Sequence, residues 1–513
     1  MPAKTVSAAV VGLTAVPVEV ESSVSLGLPK FLVVGLPDAS VQESRERVTA
    51  AVKNSGLPFP KNRLTVNLAP ADIRKEGPSY DLPIAVSILL KGGALKQKDI
   101  EGRLFLGELA LDGQLRPVAG VLPVVLMAIE QGFSEIYVPS GNAAEAGLAI
   151  REPKIADRTK IYPVTDLAGL VRHLRGKGRI EPVSPSEGDT ETTEKADSDF
   201  DFANIKGQHQ AKRALEIAAA GGHNILLSGP PGAGKTLLAR SLPGILPKMT
   251  WEETLEVTKI YSIAGLTGQG RVITRRPFRS PHHTASGASL IGGGSWPKPG
   301  EVSLAHRGVL FLDEFPEFTR QVLENLRQPL EDGFVTISRA QCRLRFPTKF
   351  ILVAALNPCP CGYASDPDRE CTCSPMQIAS YGKRISGPML DRIDLHLEVP
   401  KLGTKDIFRA QPAESSETVR GRVQAARDRQ QARFNDGKTF TNSEMGQQAI
   451  LQHCGLDREG ERLIESAVTR LHLSARAYSR ILKISRTIAD LSGSERIAAE
   501  NVAEALQFRE RGK

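Results

Sequence analysis

The sequence predicts an α/β protein: a parallel-sheet core, preceded by an α+β domain and followed by a helical one. Three observations carry this expectation. Three short runs, NILLSG (224–229), GVLFLDE (308–314) and KFILVAALNP (349–358), are rich in Leu, Ile and Val and lack polar alternation. Such runs fit strands buried on both faces of a parallel sheet. The first run passes into a Gly-rich turn, GPPGAGKT (229–236), and then into a helical stretch, LLARSL. Strand, Gly-rich loop and helix in that order form a phosphate cradle. Beyond a boundary near Pro400–Ala413 the pattern is helical, as in TVRGRVQAARDRQQARF and REGERLIESAVTRLHLSARAYSRILKISRTIADL.

Taken in order, residues 1–175 are expected to form the first domain. Its opening alternation of Val with Glu and Thr reads as a strand. Residues 176–200, GKGRIEPVSPSEGDTETTEKADSDF, hold Gly, Pro, Ser, Thr and acid with little to bury, and are expected to be a solvated linker. Residues 201–400 form the sheet core and 401–513 the helical domain. A chain of 513 residues suits about three such domains.

Hydrophobic residues are 41% and charged residues 24% of the chain, which excludes a mostly disordered or fibrous protein. The net charge is +8, and the linker region from Glu187 to Asp201 carries seven acids against one Lys. The remaining body is therefore more basic still, which is compatible with nucleic acid. No run approaches the roughly 20 apolar residues needed to cross a bilayer, so no membrane partner is expected. Six cysteines in a chain of this length do not make a secreted disulfide scaffold, and a cytoplasmic location is expected.

The turn comprises Gly229, Pro230, Pro231, Gly232, Ala233, Gly234, Lys235 and Thr236. Its glycines let backbone N–H groups face phosphate oxygens, and the helix that follows adds its positive end. Lys235 is expected to reach the terminal phosphates of ATP and Thr236 to ligate Mg²⁺. The second run ends in Asp313 and Glu314. Asp313 is expected to hold Mg²⁺ through water and Glu314 to polarise the attacking water. Asn357, ending the third run, is placed to hold the same water or to sense the γ-phosphate.

These motifs resemble the AAA+ ATPases, and more closely their magnesium-chelatase-like branch. Asp201-Phe-Ala-Asn-Ile-Lys-Gly-Gln208 resembles the segment that packs on adenine. Residues 281–314 resemble the insert before the second acidic strand. NPCPCGY (357–363) and GPMLDRIDLHLEVP (387–400) are similar to the bacterial YifB/ComM family. The resemblance implies a ring, expected to be a hexamer, that hydrolyses ATP and acts on single-stranded or branched DNA as a branch-migration motor in natural transformation. It also implies that Arg392 is an arginine finger acting across a subunit interface, with Arg384 as the competitor. Arg476 would be the sensor arginine of the helical lid, with Arg480 as the competitor. On residue type alone, without the resemblance, these arginines read as surface groups on amphipathic helices.

Cys359-Pro-Cys361 and Cys371-Thr-Cys373 enclose nine residues inside a loop spanning 357–375. Four nearby thiols suit a tetrahedral structural Zn²⁺; a disulfide or four unligated thiols are the alternatives. Cys342 and Cys454 stand apart and read as small buried hydrophobes. His282 and His283 have no third ligand at helical spacing and read as loop residues.

The first domain resembles the proteolytic domain of Lon. Glu76-Gly-Pro-Ser-Tyr-Asp81 places Ser79 at Lon's nucleophile, but the position of the catalytic Lys falls on Val124. A serine needs a base to attack, so a non-proteolytic domain is expected. Two stretches are candidates for DNA-facing loops: 268–283, and 332–347, which reads as a hairpin with Arg339, Arg343 and Arg345 on its second arm. Arginines there would grip phosphates without reading bases. The alternative is a solvated basic face.

Overall fold

The computed structural model describes residues 3–184, 200–268, 270–294, 297–338, 343–403, 413–434 and 439–509. The chain divides into two compact units. The first comprises Met1–Thr192, Trp251–Thr274 and Ser338–Arg345; the second comprises Thr193–Thr250, Arg275–Ile337 and Phe346–Lys513.

The first unit is α+β. Its strands are β1 (Ala3–Val11), β2 (Thr14–Ser25), β3 (Phe31–Val34), β4 (Arg63–Ala69), β5 (Arg103–Phe105), β6 (Glu108–Leu109), β7 (Leu115–Arg116), β8 (Glu135–Pro139) and β9 (Lys160–Val164). Among the described residues, seven of them form one mixed sheet in the order β3-β4-β2-β1-β5-β8-β9. β1 and β2 pair antiparallel from Ala3↔Ser22 to Val11↔Thr14, and the tight turn between them has Gly12 at φ 62°. The Val–polar alternation seen in the sequence is thus a sheet strand with one face in the core: Val18 and Val20 are fully buried. The helices Ala39–Asn54 and Asp81–Lys91 supply Val41, Val48, Val52, Leu82 and Val86 to the same core.

A second core in this unit surrounds the helix Val121–Glu130 and takes in Leu255 and Val272 from the 251–274 segment. The carboxylate of Glu145 joins the pieces. It accepts hydrogen bonds from the Leu122 backbone N–H at 2.9 Å, the Thr267 hydroxyl at 3.4 Å and the Ser262 hydroxyl. Glu145 is fully buried, and that burial raises its pKa above the ordinary carboxylate range.

The second unit holds the predicted parallel sheet. The strands that follow in chain order are β10 (Ile225–Ser228), β11 (Phe278–Arg279), β12 (Gly292–Gly293), β13 (Lys298–Pro299), β14 (Val309–Leu312), β15 (Phe334–Ser338), β16 (Arg343–Pro347), β17 (Ile351–Leu356) and β18 (Leu395–Glu398), of which β16 begins in the first unit's 338–345 segment. Among the described residues, five of these form a sheet in the order β11-β14-β17-β10-β18, and each neighbouring pair within it is parallel. The three apolar runs of the sequence are β10, β14 and β17, side by side. All four residues of β14 are buried, as are five of the six in β17, which explains the missing alternation. Helices His209–Gly221 and Lys235–Ile245 pack on the sheet. The region after residue 413 is helical, with Ser416–Arg433, Arg458–Leu471, Ala475–Ser492 and Ala499–Gln507 as its longest members. β15 and β16 pair as the expected hairpin. No described helix is long and apolar enough to cross a membrane.

Candidate functional site

Because β10, β14 and β17 are parallel neighbours, their carboxyl ends open at the same edge of the sheet. Ligands bind at such edges in open α/β folds. The chain leaves β10 through Gly229–Gly234 and enters the helix that begins at Lys235. Gly232 and Gly234 take left-handed φ values of 78° and 89°, and a Cβ placed on either would meet nothing within 4 Å.

Lys235 is folded into this loop, with only 9% of the residue exposed. Its ammonium donates to the Gly229 carbonyl at 2.6 Å, the Pro230 carbonyl at 3.0 Å and Asn357 Oδ1 at 3.1 Å. Burial lowers its pKa, opposed by the nearby Asp313 charge. The lysine is therefore held at the loop by weak neutral acceptors, which a polyanion would outcompete.

The magnesium ligands named by the sequence lie together. The Thr236 hydroxyl donates to Asp313 Oδ2 at 2.9 Å. That contact sets Asp313 beside the hydroxyl expected to ligate Mg²⁺, where a carboxylate can hold the ion through water. Asp313 Oδ1 accepts from the Glu314 backbone N–H at 2.9 Å. Glu314 has φ 50°, an uncommon value for a residue with a side chain.

A contact invisible in the sequence stands here. His283 Nδ1 is 3.1 Å from Glu314 Oε2. His283 also lies against His282, with ring centroids 4.2 Å apart, and edge-on to Phe318 at 6.5 Å. The contact arises because β11, which leads to these histidines, pairs with β14. Sequence spacing carries no trace of that pairing.

The two candidate finger arginines differ in setting. The Arg392 side chain is 9% exposed and bonds to the Glu331 carboxylate and the Pro388 carbonyl. Its Nε is buried without a hydrogen-bond partner. Arg384 is half exposed and pairs with Glu317 at 2.8 Å. Of the lid arginines, Arg476 is exposed in the first turn of the helix Ala475–Ser492. Arg480, one turn on, donates to the Ile393 carbonyl at 2.7 Å and lies 3.5 Å from Asp391.

A further unforeseen residue links these parts. His223, fully buried just before β10, contacts Asp394 Oδ2 at 3.2 Å and the Thr487 hydroxyl at 2.9 Å. It joins the strand carrying the phosphate loop to the segment after Arg392 and to the lid helix. In the segment 201–208, the Gln208 amide donates to the Ala233 carbonyl at 3.3 Å and the Pro400 carbonyl at 2.8 Å.

Cys359, Cys361, Cys371 and Cys373 converge, with their sulfur atoms all within 4.8 Å of one another. All four are free thiols, and so is Cys454, which is buried as expected. The Tyr363 backbone N–H lowers the pKa of the Cys361 thiol, whereas burial and the neighbouring thiols raise those of Cys371 and Cys373. Arg343 and Arg345 are exposed on β16, alternating with buried Leu344 and Phe346. Arg339 and Cys342 lie outside the described residues, as do residues 185–199 of the expected linker.

In the first unit, Val124 is fully buried in the helix Val121–Glu130. Ser79 sits in a single helical turn, Pro78–Tyr80. Asp81 beside it is taken up by Arg47 at 2.7 Å, by the Leu109 N–H at 3.2 Å and by the Ser44 hydroxyl. A buried valine supplies no base for Ser79.

Residues 201–407 match the family model for magnesium chelatase, subunit ChlI, and 413–509 match its C-terminal model. Residues 20–142 match a further model of the same subunit. The chain is 42% identical to a YifB protein of Escherichia coli over 98% of this chain and 96% of that one. It is 43% identical to the competence protein ComM of Haemophilus influenzae, with the same coverage. A magnesium-chelatase 38 kDa subunit of Cereibacter sphaeroides is 26% identical over 31% of this chain and 53% of its own length.

Proposed function

This chain belongs to the magnesium-chelatase-like family of YifB and ComM proteins, and we propose that it is a ring-forming ATPase that drives DNA, displacing strands or migrating branches in recombination intermediates such as those of natural transformation. The observation that carries the ATPase reading is the meeting of Lys235, Thr236, Asp313, Glu314 and Asn357 at one sheet edge. Membership of an AAA+ family supports the same activity.

In this reading the loop N–H groups and Lys235 hold the β- and γ-phosphates of ATP. Thr236 and Asp313 hold Mg²⁺, which neutralises charge on the transferring phosphoryl group. Glu314 orients the attacking water, and Asn357 fixes Lys235 and that water together. Arg392 of one subunit completes the pocket of the next, which makes the ring, a hexamer, the active unit. Arg476 reports on nucleotide from the lid. Arg339, Arg343 and Arg345 grip DNA phosphates as the hairpin moves. The basic body and the competence role in the name of the Haemophilus relative support DNA as the polymer moved.

A second reading has support in the chelatase-subunit matches: an ATPase that remodels a protein partner. Turnover measured with single-stranded, duplex and four-way-junction DNA separates the two, together with ATP-dependent strand displacement. Stimulation by DNA and displacement that needs hydrolysis favour the motor. Turnover indifferent to every DNA, with no displacement, favours the partner remodeller or a scaffold without translocation.

A further inference from the structure

The loop carrying the four cysteines begins at the end of β17, and Asn357 stands two residues before Cys359. Asn357 Oδ1 is one of the three acceptors of Lys235, at 3.1 Å. The chain then doubles back. The Gly362 N–H donates to the Cys359 carbonyl at 3.0 Å, and Gly362 has φ 88°. A Cβ on Gly362 would lie 2.7 Å from Pro231 Cγ and 2.8 Å from its Cδ, with Asn357 Cγ at 3.8 Å. The backbone of the cysteine loop is thus pressed on the phosphate loop at Pro231 and on the side chain that positions Lys235.

The loop has little apolar surface to hold it there. Between its cysteine pairs lie Gly, Tyr, Ala, Ser, Pro, Arg and three acids. Its supports are polar: Arg369 over the Tyr363 ring at 4.0 Å, and Lys401 at 3.0 Å from Asp368 and 3.7 Å from the buried Asp366 carboxylate. Ion pairs made by a lysine this exposed contribute little. The sulfurs supply the missing restraint. Cys359 Sγ lies 3.3 Å from Cys361 Sγ and 3.6 Å from Cys371 Sγ, and Cys361 Sγ lies 3.6 Å from Cys371 Sγ. Sulfurs around a tetrahedral zinc with 2.3 Å bonds stand about 3.8 Å apart. Cys359, the innermost of the four, is fully buried, and Cys373 leads into the capped start of the helix Pro375–Gly382.

We propose that these four thiolates bind one zinc ion whose function is to clamp the 357–373 loop on Pro231 and Asn357, so that the metal sets the posture of the ATP phosphate loop. The proposal rests on the ATPase reading for the identity of the nucleotide. The clamp acts through Gly362: with the metal in place, the loop backbone blocks outward movement of Pro231, and Asn357 keeps its oxygen on Lys235. Without the metal, both restraints relax.

The test uses the full chain. Elemental analysis should find one zinc per chain. Binding of a fluorescent ATP analogue should weaken by on the order of tenfold after the zinc is stripped with a thiol-reactive mercurial and chelator, then reduced. That is the scale of losing about one charge-assisted hydrogen bond. Zinc should restore the affinity and magnesium alone should not. Gly362→Val should keep its zinc yet show the same weakening, with an unchanged circular-dichroism spectrum, because the branched side chain displaces Pro231. This variant separates the clamp from general unfolding of cysteine mutants. Absence of zinc, or iron in its place, overturns the metal assignment. One zinc per chain with affinity indifferent to its removal and to Gly362→Val overturns the clamp. Should the zinc-bearing protein bind no nucleotide, with Lys235→Ala identical to wild type, the ATPase reading fails and the clamp falls with it, while the zinc site stands.

Discussion

If Arg392 acts on ATP held by a neighbouring subunit, it must leave Glu331, and the structure sets the cost of that release. The guanidinium is 9% exposed, but the Glu331 carboxylate is half exposed, so the pair belongs with surface ion pairs worth about 0.5–1 kcal/mol. Freeing the arginine should then cost a factor of about 2–5 in the competent population. Losing the finger removes transition-state charge stabilisation worth on the order of 10³-fold or more. The two variants should therefore part company. Arg392→Ala should bind ATP normally and lose at least about 10³-fold in turnover. Glu331→Gln should keep turnover or raise it by up to about fivefold, the release factor itself. Steady-state ATP hydrolysis beside equilibrium nucleotide binding reads both. Mixing Arg392→Ala with Lys235→Ala tests action in trans, because an intact pocket can meet an intact finger at mixed interfaces and part of the activity should return. If Arg392→Ala turns over at the wild-type rate, with and without DNA, the reasoning is refuted and Arg384, paired with exposed Glu317 and lying over the Tyr381 ring, becomes the finger. If Glu331→Gln falls as far as Arg392→Ala while still folded, the pair is a fixed strut and Arg392 does not swing.

Other consequences are more direct. Lys235→Ala removes the charge that three neutral acceptors hold at the loop; ATP affinity should fall by on the order of 10²-fold, as for loss of one or two charged hydrogen bonds, and unchanged affinity in calorimetry would reject the phosphate assignment. His283→Ala frees the Glu314 carboxylate from its partner at 3.1 Å; turnover without DNA should change while nucleotide affinity holds, and identical kinetics would make the contact incidental. Glu145 has a raised pKa through burial, so its contribution to stability is complete below the unfolded value of about 4.3 and is lost as pH rises through the folded value. Urea midpoints at pH 5 and pH 8 should show a shallower fall with pH in Glu145→Gln than in wild type; equal slopes would show that Glu145 does not titrate in this range.

The sequence and the structure agree where chemistry is local. β10, β14 and β17 were legible because strands buried on both faces become continuous apolar runs, and their parallel pairing then brings Lys235, Asp313 and Asn357 to one edge. The cysteine pairs were legible as candidates only, since spacing alone leaves disulfide, metal and free thiol open; the convergence of four sulfurs needs the loop to fold back at Gly362. Long-range contacts left no trace. The Glu145–Ser262 hydrogen bond spans 117 residues, and neither partner sits in a pattern that announces the other. His283 meets Glu314 because an edge strand of two residues lies beside β14, too short a strand for periodicity to reveal. His223 reads as an ordinary residue at a helix end, and only the packing of the lid helix gives it Thr487 and Asp394 as partners.

The central claim is that ATP hydrolysis at this sheet edge is coupled to DNA. Its most direct test is ATP turnover by the full chain with and without a four-way DNA junction, run beside Glu314→Gln. The account predicts turnover that rises severalfold with the junction in wild type, and a Glu314→Gln protein that binds ATP yet turns over on the order of 10²-fold more slowly in both conditions. Turnover that ignores the junction in wild type, or that survives Glu314→Gln, would contradict it.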